Sequence, residues 1–237
     1  MPNEVMNEDK LKEFYDGVYA TGDIRDNTKL YAWIMRLLRP LQGSKFLDVG
    51  CGGGWLLREA ERCGLKTFGL DISSEAVKRA KKIAPYSEII SADGENLPWP
   101  DGYFDYAASL GCLEHYIDPD KGAAEICRVL KPDAKAIIIL PNRYQLGDIL
   151  KALFTGKGNE EWQAIERDAA KEQWREFLER NGLRVLKIFK YNKYPEFFQE
   201  GTFKVKSIRK FVITTLIRYL APFNLAQQFV YLCEKKG

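Results

Sequence analysis

The chain has 237 residues, 46% of them hydrophobic, and a formal net charge of +3. A chain of this length and composition buries a sizeable core and predicts one elaborated domain rather than two equal ones. The near balance of charge argues against a nucleic-acid partner, because dedicated nucleic-acid binders carry a strongly basic field.

The cysteines and the first residues bear on compartment and metal binding. Five cysteines occur without a C-x-x-C pair, which favours reduced thiols over disulfides. Cys112 and His115 form one C-x-x-H pair, but a zinc site needs about four ligands, so we expect no metal. Residues 1–10 are polar and acidic, and no apolar stretch reaches the ~18–20 residues of a membrane span. We therefore expect a cytoplasmic protein.

Apolar periodicity and turn residues predict a regular alternation of strands and helices. Helices are predicted over 27–39, 55–63, 73–85, 122–130 and 160–180, and strands over 45–49, 66–70, 88–91, 104–109, 134–140, 183–189 and 228–233. The alternation predicts an α/β fold, a mostly parallel seven-stranded sheet with helices on both faces.

Residues 50–54 form a glycine-rich loop directly after the first predicted strand. Open α/β sheets bind ligands at such strand ends, and we expect the loop amides to point at the ligand. A dinucleotide fingerprint would need glycine where Trp55 stands, and Asp48 would repel a pyrophosphate. That acid suits the cationic amino group and sulfonium of S-adenosylmethionine, which is the predicted cofactor. The alternative for the loop is a tight strand-to-helix turn.

Five segments in order resemble the class I, Rossmann-like methyltransferases that act on small molecules, including the ubiquinone and menaquinone biosynthesis type. The segments are LDVGCGGG (47–54), GLDISSEAVKRAKK (69–82), ADGENLPWPDGYFDY (92–106), LEHYIDP (113–119) and RVLKPDAKAIIILPN (128–142). The resemblance implies methyl transfer from S-adenosyl-L-methionine to a small-molecule or lipid-like acceptor, with S-adenosyl-L-homocysteine as product.

The resemblance also implies a set of cofactor contacts. Asp48 would reach the methionine amino group, Asp71 the two ribose hydroxyls and Asp93 the adenine amino group, while helix capping and solvated turns remain the alternatives. We expect Asp71 to serve the ligand rather than the fold. The whole implied set is Tyr15, Asp48, Gly50, Cys51, Gly52, Gly54, Asp71, Ile72, Asp93, Gly94, Glu95 and Leu110.

His115 is the only histidine of the chain. An imidazole titrates near neutral pH, so His115 is the candidate general base for the acceptor's proton. The alternative is a histidine at a helix start that is bonded to backbone. The sequence at 110–113 lacks the N-P-P-Y pattern of nucleic-acid amino methyltransferases, and Glu114 stands without the second glutamate of protein arginine methyltransferases.

Two further features extend the resemblance. Phe14, Tyr15 and Tyr19 are similar to an aromatic N-terminal cover that closes over bound cofactor, with core packing as the alternative. The usual Pro-Gly-Gly turn is Pro-Asp-Ala at 132–134. Asp tolerates a left-handed backbone better than most residues, so we expect a modified turn there.

We expect one methyltransferase domain over 1–237. It would comprise an N-terminal helical cover (1–43), a cofactor-binding core (44–142) and a C-terminal half (143–237) with an insertion at 191–225 between the last two strands. The insertion is aromatic, and between Gly201 and Cys233 the chain has five Lys or Arg residues and no Asp or Glu.

The segment 204–220 is predicted to be a broad amphipathic helix. It would either pack as a lid over the acceptor pocket or lie on an anionic membrane surface. Two rival functions remain for the whole chain: a catalytically silent cofactor-binding or scaffold protein, and a nicotinamide-dependent oxidoreductase.

Overall fold

The computed structural model describes residues 6–22, 28–158, 163–192 and 221–236. Its helices are α1 (Glu8–Thr21), α2 (Thr28–Leu38), α3 (Trp55–Arg62), α4 (Ser74–Ile83), α5 (Pro119–Val129), α6 (Leu146–Thr155) and α7 (Lys171–Arg180). Its strands are β1 (Lys45–Val49), β2 (Lys66–Asp71), β3 (Glu88–Ser91), β4 (Phe104–Leu110), β5 (Leu130–Pro141), β6 (Leu183–Tyr191) and β7 (Gln228–Lys235). Short 3-10 helices occur at Leu113–His115 and Phe223–Leu225.

The seven strands form one sheet in the order β3-β2-β1-β4-β5-β7-β6. Neighbours among the first five strands run parallel, and β7 runs antiparallel to both β5 and β6. This confirms the predicted Rossmann-like fold. Because the strand order reverses between β1 and β4, the sheet opens a ligand crevice at their carboxyl ends.

Helices cover both faces of the sheet because its central strands bury side chains in both directions. In β5, Ile137 and Ile139 belong to one hydrophobic cluster with residues of α2, α3 and α4. Ile138 and Leu140, which alternate with them, belong to another cluster with residues of α5 and α7. The period of two along a strand therefore divides the core into two layers.

Helix α1 packs on the outside of α4. Leu11, Tyr15 and Tyr19 recur every four residues on one face of α1 and form a smaller buried cluster with Ala76 of α4. An Asn7 side chain that accepts a hydrogen bond from Lys10 N caps its first turn. The amphipathic pattern and the cap account for this helix.

The predicted helix over 160–180 was too long. The chain is non-helical from 163 to 169, and α7 begins at Lys171, where the Ala170 amide donates to the Gln173 side chain. Residues 159–162 lie outside the described residues. Helix α6 was missing from the sequence-based elements, and β5 starts earlier than expected at Leu130.

The modified turn before the last half of β5 has the expected backbone. Asp133 has φ +59°, in the left-handed region that Asp tolerates better than most residues. Most of the predicted insertion, including the whole of 204–220, lies outside the described residues, as does Asn27. Within the described ranges, no helix is both long and apolar enough to cross a membrane.

Candidate active site

A cavity of about 1030 Å³, open solvent at its mouth included, lies at the carboxyl ends of β1, β2 and β4. Its position is the crevice where the strand order reverses. The predicted site residues that line it are Tyr15, Asp48, Gly50, Cys51, Gly52, Asp71, Ile72, Asp93, Gly94, Glu95, Leu110 and His115. Gly54 is the predicted residue that the cavity does not include.

The ionisable side chains around the cavity are mainly acidic. Carboxyl groups come from the ends of three neighbouring strands, and the described lining residues include no lysine or arginine. Asp48 and Asp71 are only 3% and 7% exposed, and poorly solvated charges act more strongly than charges in water. The cavity therefore suits a cationic ligand and disfavours a pyrophosphate.

The amides of the glycine loop are mostly used inside the protein. Gly50 N and Cys51 N both donate to the Leu70 carbonyl at 2.9 Å, and Gly54 N donates to the Cys51 carbonyl at 2.9 Å. Gly52 N donates to Asp71 Oδ2 at 2.9 Å. The expectation that these amides point at a ligand was wrong, because the loop folds back on β2. A loop with these amides occupied cannot cradle a pyrophosphate in the way of a dinucleotide fingerprint.

Gly54 serves packing rather than the cavity wall. It has φ +83° and precedes α3, and a Cβ placed on it would lie 2.8 Å from the Ala80 Cα of α4. Gly52 faces the other way, because a Cβ there would lie 2.7 Å from the Tyr19 hydroxyl of α1. The glycines thus allow both α4 and α1 to approach the loop.

Asp71 joins the glycine loop to the start of α4. Its Oδ2 accepts from Gly52 N, and its Oδ1 accepts from Ser73 N at 3.0 Å. Ser73 Oγ in turn accepts from Ala76 N at 3.1 Å and caps α4. The expectation that Asp71 serves only the ligand was therefore incomplete, because its carboxylate also holds two buried backbone amides.

The two acids after β3 have different roles in the fold. Asp93 Oδ1 accepts from Glu95 N at 2.9 Å in a local turn. Glu95 Oε1 accepts from Ile117 N at 2.7 Å and from Asp118 N at 3.0 Å. Burial raises the pKa of Glu95, although those two amides act in the opposite direction. Glu95 thus braces the loop after β3 against the segment that follows the first 3-10 helix.

His115 lies in the 3-10 helix after β4 and is 7% exposed. Its Nδ1 is 2.6 Å from the Ile165 carbonyl oxygen, and its Nε2 is 3.6 Å from Glu114 Oε1. The ring centroids of His115 and Tyr15 are 6.5 Å apart. His115 is therefore bonded to backbone, as the structural alternative expected. It also lines the cavity, as a role as general base requires.

Helix α1 closes one side of the cavity. Tyr15 OH donates to Gln163 Oε1 at 2.9 Å, and Leu11 and Tyr19 also line the cavity. Burial raises the pKa of the Tyr15 phenol, so it stays protonated and acts as a donor. Of the three aromatic residues that the sequence indicated as a cover, Tyr15 and Tyr19 are buried and line the cavity, and Phe14 packs against their cluster.

Comparison with known proteins agrees with this geometry. Residues 47–138 match the methyltransferase-domain family. Over these residues the chain is similar to the class I S-adenosylmethionine-dependent methyltransferases. Norajmaline N-methyltransferase of Rauvolfia serpentina is 38% identical over 100 residues, covering 39% of this chain and 34% of the relative. The mitochondrial ubiquinone biosynthesis O-methyltransferase of Homo sapiens is 30% identical over 169 residues, covering 62% and 43%.

A solved structure shares the fold of this chain. Phosphoethanolamine N-methyltransferase 2 of Haemonchus contortus, in complex with S-adenosyl-L-methionine, superposes with a TM-score of 0.65 at 20% identity, covering 100% of this chain and 62% of that one. At this identity the likeness shows the fold alone. The chain spans less than half the length of the two curated relatives named above.

Several residues that line the cavity lie outside the predicted set of site residues. Tyr116 OH accepts from Cys112 Sγ at 3.3 Å, and a Cβ on Gly94 would lie 1.8 Å from that hydroxyl. Burial raises the pKa of the Cys112 thiol, which stays protonated. The remaining lining residues outside the predicted set are Leu11, Tyr19, Tyr31, Gly53, Trp55, Leu56, Leu70, Ala92, Gly111 and Gln163. Among the described residues, no group of three His, Cys, Asp or Glu side chains could hold a metal ion.

Proposed function

We propose that this protein binds S-adenosyl-L-methionine in the acidic cavity and transfers its methyl group to a small-molecule acceptor, leaving S-adenosyl-L-homocysteine. The observation that carries the proposal is the charge of the cavity: carboxyl groups at three strand ends, no lysine or arginine among the described lining residues, and four of the loop amides bonded within the protein. A sulfonium and an ammonium group fit these surroundings, and a pyrophosphate does not.

Each acid has a separate task in this proposal. Asp48 at the end of β1 binds the methionine amino group, and Asp71 at the end of β2 accepts from the ribose hydroxyls with lone pairs not used by Gly52 and Ser73. Asp93 and the Gly94 amide bind the adenine, which Ile72 covers on one face. Cys51, Glu95, Leu110 and Tyr15 complete the wall.

The chemistry needs alignment and one proton acceptor. When bound, the cofactor supplies a methyl group on a sulfonium, and the electron pair of the broken S–C bond stays on sulfur. The wall formed by β4 and α1 holds the acceptor in line and excludes water. His115 takes the proton that the acceptor oxygen or nitrogen loses as its new bond to carbon forms.

The proposed acceptor is a small or lipid-like molecule. The relatives are named for the N-methylation of norajmaline and for ubiquinone biosynthesis, which supports a small organic acceptor. The same proposal places the protein in the cytoplasm and allows residues 204–220 to contact a membrane surface. The proposal also includes contacts between the acceptor and the insertion at 191–225, most of which lies outside the described residues.

Titration calorimetry tests the cofactor. We expect S-adenosyl-L-homocysteine to bind and NAD not to bind, because the described lining residues include no lysine or arginine for the pyrophosphate. Binding of NAD with no binding of S-adenosyl-L-homocysteine would overturn the proposal. Transfer of a labelled methyl group to a panel of phenols and amines then separates catalysis from silent binding. Release of no methylated product by a protein that binds the cofactor would favour the scaffold alternative.

A further inference from the structure

The segment 163–170, here called the strap, crosses the cavity side of the turn that follows β4. Its first residue, Gln163, accepts from the Tyr15 hydroxyl of α1. Its middle contacts His115 through the Ile165 carbonyl. Its end runs beside the exit of β5, where Ala169 forms a bridge with Asn142 and accepts from Arg143 N at 3.2 Å. The strap therefore joins the N-terminal cover, the histidine and the sheet.

Arg167 fixes the strap to the 3-10 turn. Its Nη1 donates to the carbonyls of Glu114, at 3.4 Å, and Tyr116, and its Nη2 donates to the Ile117 carbonyl at 3.2 Å. One planar guanidinium thus binds three carbonyl oxygens within residues 114–117, on both sides of His115. A lysine ammonium is a compact point charge, so it cannot reach the same three carbonyl oxygens at once.

The contact with Ile165 decides which ring nitrogen of His115 carries the proton. A carbonyl oxygen only accepts, so Nδ1 at 2.6 Å must be the donor. In the neutral ring Nε2 then holds the lone pair, and it lies 3.6 Å from Glu114 Oε1. That carboxylate would stabilise the ring once Nε2 has taken a proton.

We propose that Arg167 is a positioning residue that selects the tautomer of His115. By clamping the strap to the 3-10 turn it keeps the Ile165 carbonyl at Nδ1, and so it keeps Nε2 as the nitrogen that accepts a proton. The meaning of this arrangement for catalysis rests on the proposed methyl transfer. The arrangement itself is a property of the folded chain that can be measured without cofactor or acceptor.

The single histidine makes the measurement direct. In full-length protein labelled with ¹⁵N and purified without a histidine tag, one imidazole appears in a long-range ¹H–¹⁵N correlation spectrum, and its pattern identifies the protonated nitrogen. We expect the Nδ1–H form in the wild type. In Arg167→Ala we expect the tautomer ratio to move about tenfold toward Nε2–H, the scale of one lost hydrogen bond.

Arg143→Ala is the matched control, because it removes an exposed arginine side chain whose residue bonds to the strap through its backbone amide. Arg167→Lys keeps the charge without the planar guanidinium, and we expect an intermediate tautomer ratio. The same variant replaces Arg167→Ala in the test if the alanine variant does not fold. A wild-type ring in the Nε2–H form overturns the proposal. So does an Arg167 variant whose ratio moves no more than that of Arg143→Ala.

The two proposals fail separately. Absence of cofactor binding and methyl transfer in the wild type would end the proposed function and leave the tautomer result standing. If the enzyme does transfer methyl groups, Arg167→Lys should lower kcat while the Kd for S-adenosyl-L-homocysteine stays within about threefold, because Arg167 bonds to the 3-10 turn and does not itself line the cavity. Equal losses in binding and kcat would contradict a positioning role.

Discussion

At the scale of single residues, Asp71 shows how one carboxylate serves both fold and ligand. Its two oxygens hold the amides of Gly52 and Ser73, so Asp71→Ala leaves two buried donors unpaired. We expect that variant to lose about 1–3 kcal/mol of unfolding free energy. We also expect it to lose about 1.5–3 kcal/mol of cofactor affinity, as for a charged hydrogen-bond partner.

Asp71→Asn separates the two roles. The amide keeps the shape and one acceptor oxygen, so it should unfold at a urea concentration closer to the wild type. It should still bind S-adenosyl-L-homocysteine more weakly, because the charge that strengthens bonds to the ribose hydroxyls is gone. Calorimetry on the folded Asp71→Asn variant measures this affinity. A wild-type affinity in that variant would show that Asp71 does not bind the cofactor.

Gly54 gives a prediction about packing. A methyl group on Gly54 meets the Ala80 backbone at 2.8 Å, and φ is +83°. The left-handed backbone alone costs about 1–2 kcal/mol for a residue with a side chain, so Gly54→Ala should lose more than that in urea unfolding. Gly147→Ala in α6 is the control, because it meets nothing within 4 Å and should be neutral or gain about 0.5–1 kcal/mol. Similar stability of the two variants would contradict this assignment.

At the scale of elements, Asp16 fastens α1 to α4. Its Oδ1 accepts from Ser73 Oγ at 2.7 Å and from Glu75 N at 3.2 Å in the first turn of α4. Partial burial acts to raise the pKa of the Asp16 carboxyl. Hydrogen bonds from Lys12, Ser73 and the Glu75 amide outweigh that effect and lower the pKa below its ordinary value. The charged form is therefore the one that holds the two helices together.

Asp16→Ala should destabilise the protein by about 0.5–2 kcal/mol at pH 7, the range of a lost helix cap. A group whose pKa is lower in the folded state stabilises above its unfolded pKa and loses that contribution as pH falls. The difference between wild type and variant should thus be constant above about pH 4 and shrink below it. Asp9→Ala, at an exposed position of the same helix, is the control. If the stability difference between wild type and Asp16→Ala did not change with pH, the charged form of Asp16 would not be what joins α1 to α4.

At the scale of the whole molecule, the cofactor and acceptor sites should be separable. The acids lie at the ends of the early strands, and the aromatic insertion follows β6. We predict that Phe198→Ala or Phe203→Ala changes which acceptors are methylated, and that cofactor affinity stays within about 1 kcal/mol because the sites are independent. Phe154→Ala, at an exposed position of α6, is the control. Loss of cofactor affinity without a change in acceptor use would contradict the division.

The sequence by itself determined the order of the strands and of most helices, and it indicated the class of cofactor. Strands such as Glu88–Ser91 follow from local apolar patterns, which need no knowledge of distant contacts. The glycine loop, Asp71 and Asp93 follow strands that lie close together in the sheet, so their convergence could be expected from the fold class alone. The sequence also identified the left-handed turn at Asp133 from its residue type.

Only the tertiary structure decided how these residues are used. The strap replaced the first part of a predicted helix because its bonds join residues far apart in the chain: Gln163 and Tyr15 are 148 positions apart, and Ile165 and His115 are 50 apart. The loop amides turn to Leu70 and Asp71 rather than to a ligand for the same reason. Periodicity reports which face of an element is buried, whereas the partner of a buried hydrogen-bonding group depends on where the rest of the chain packs.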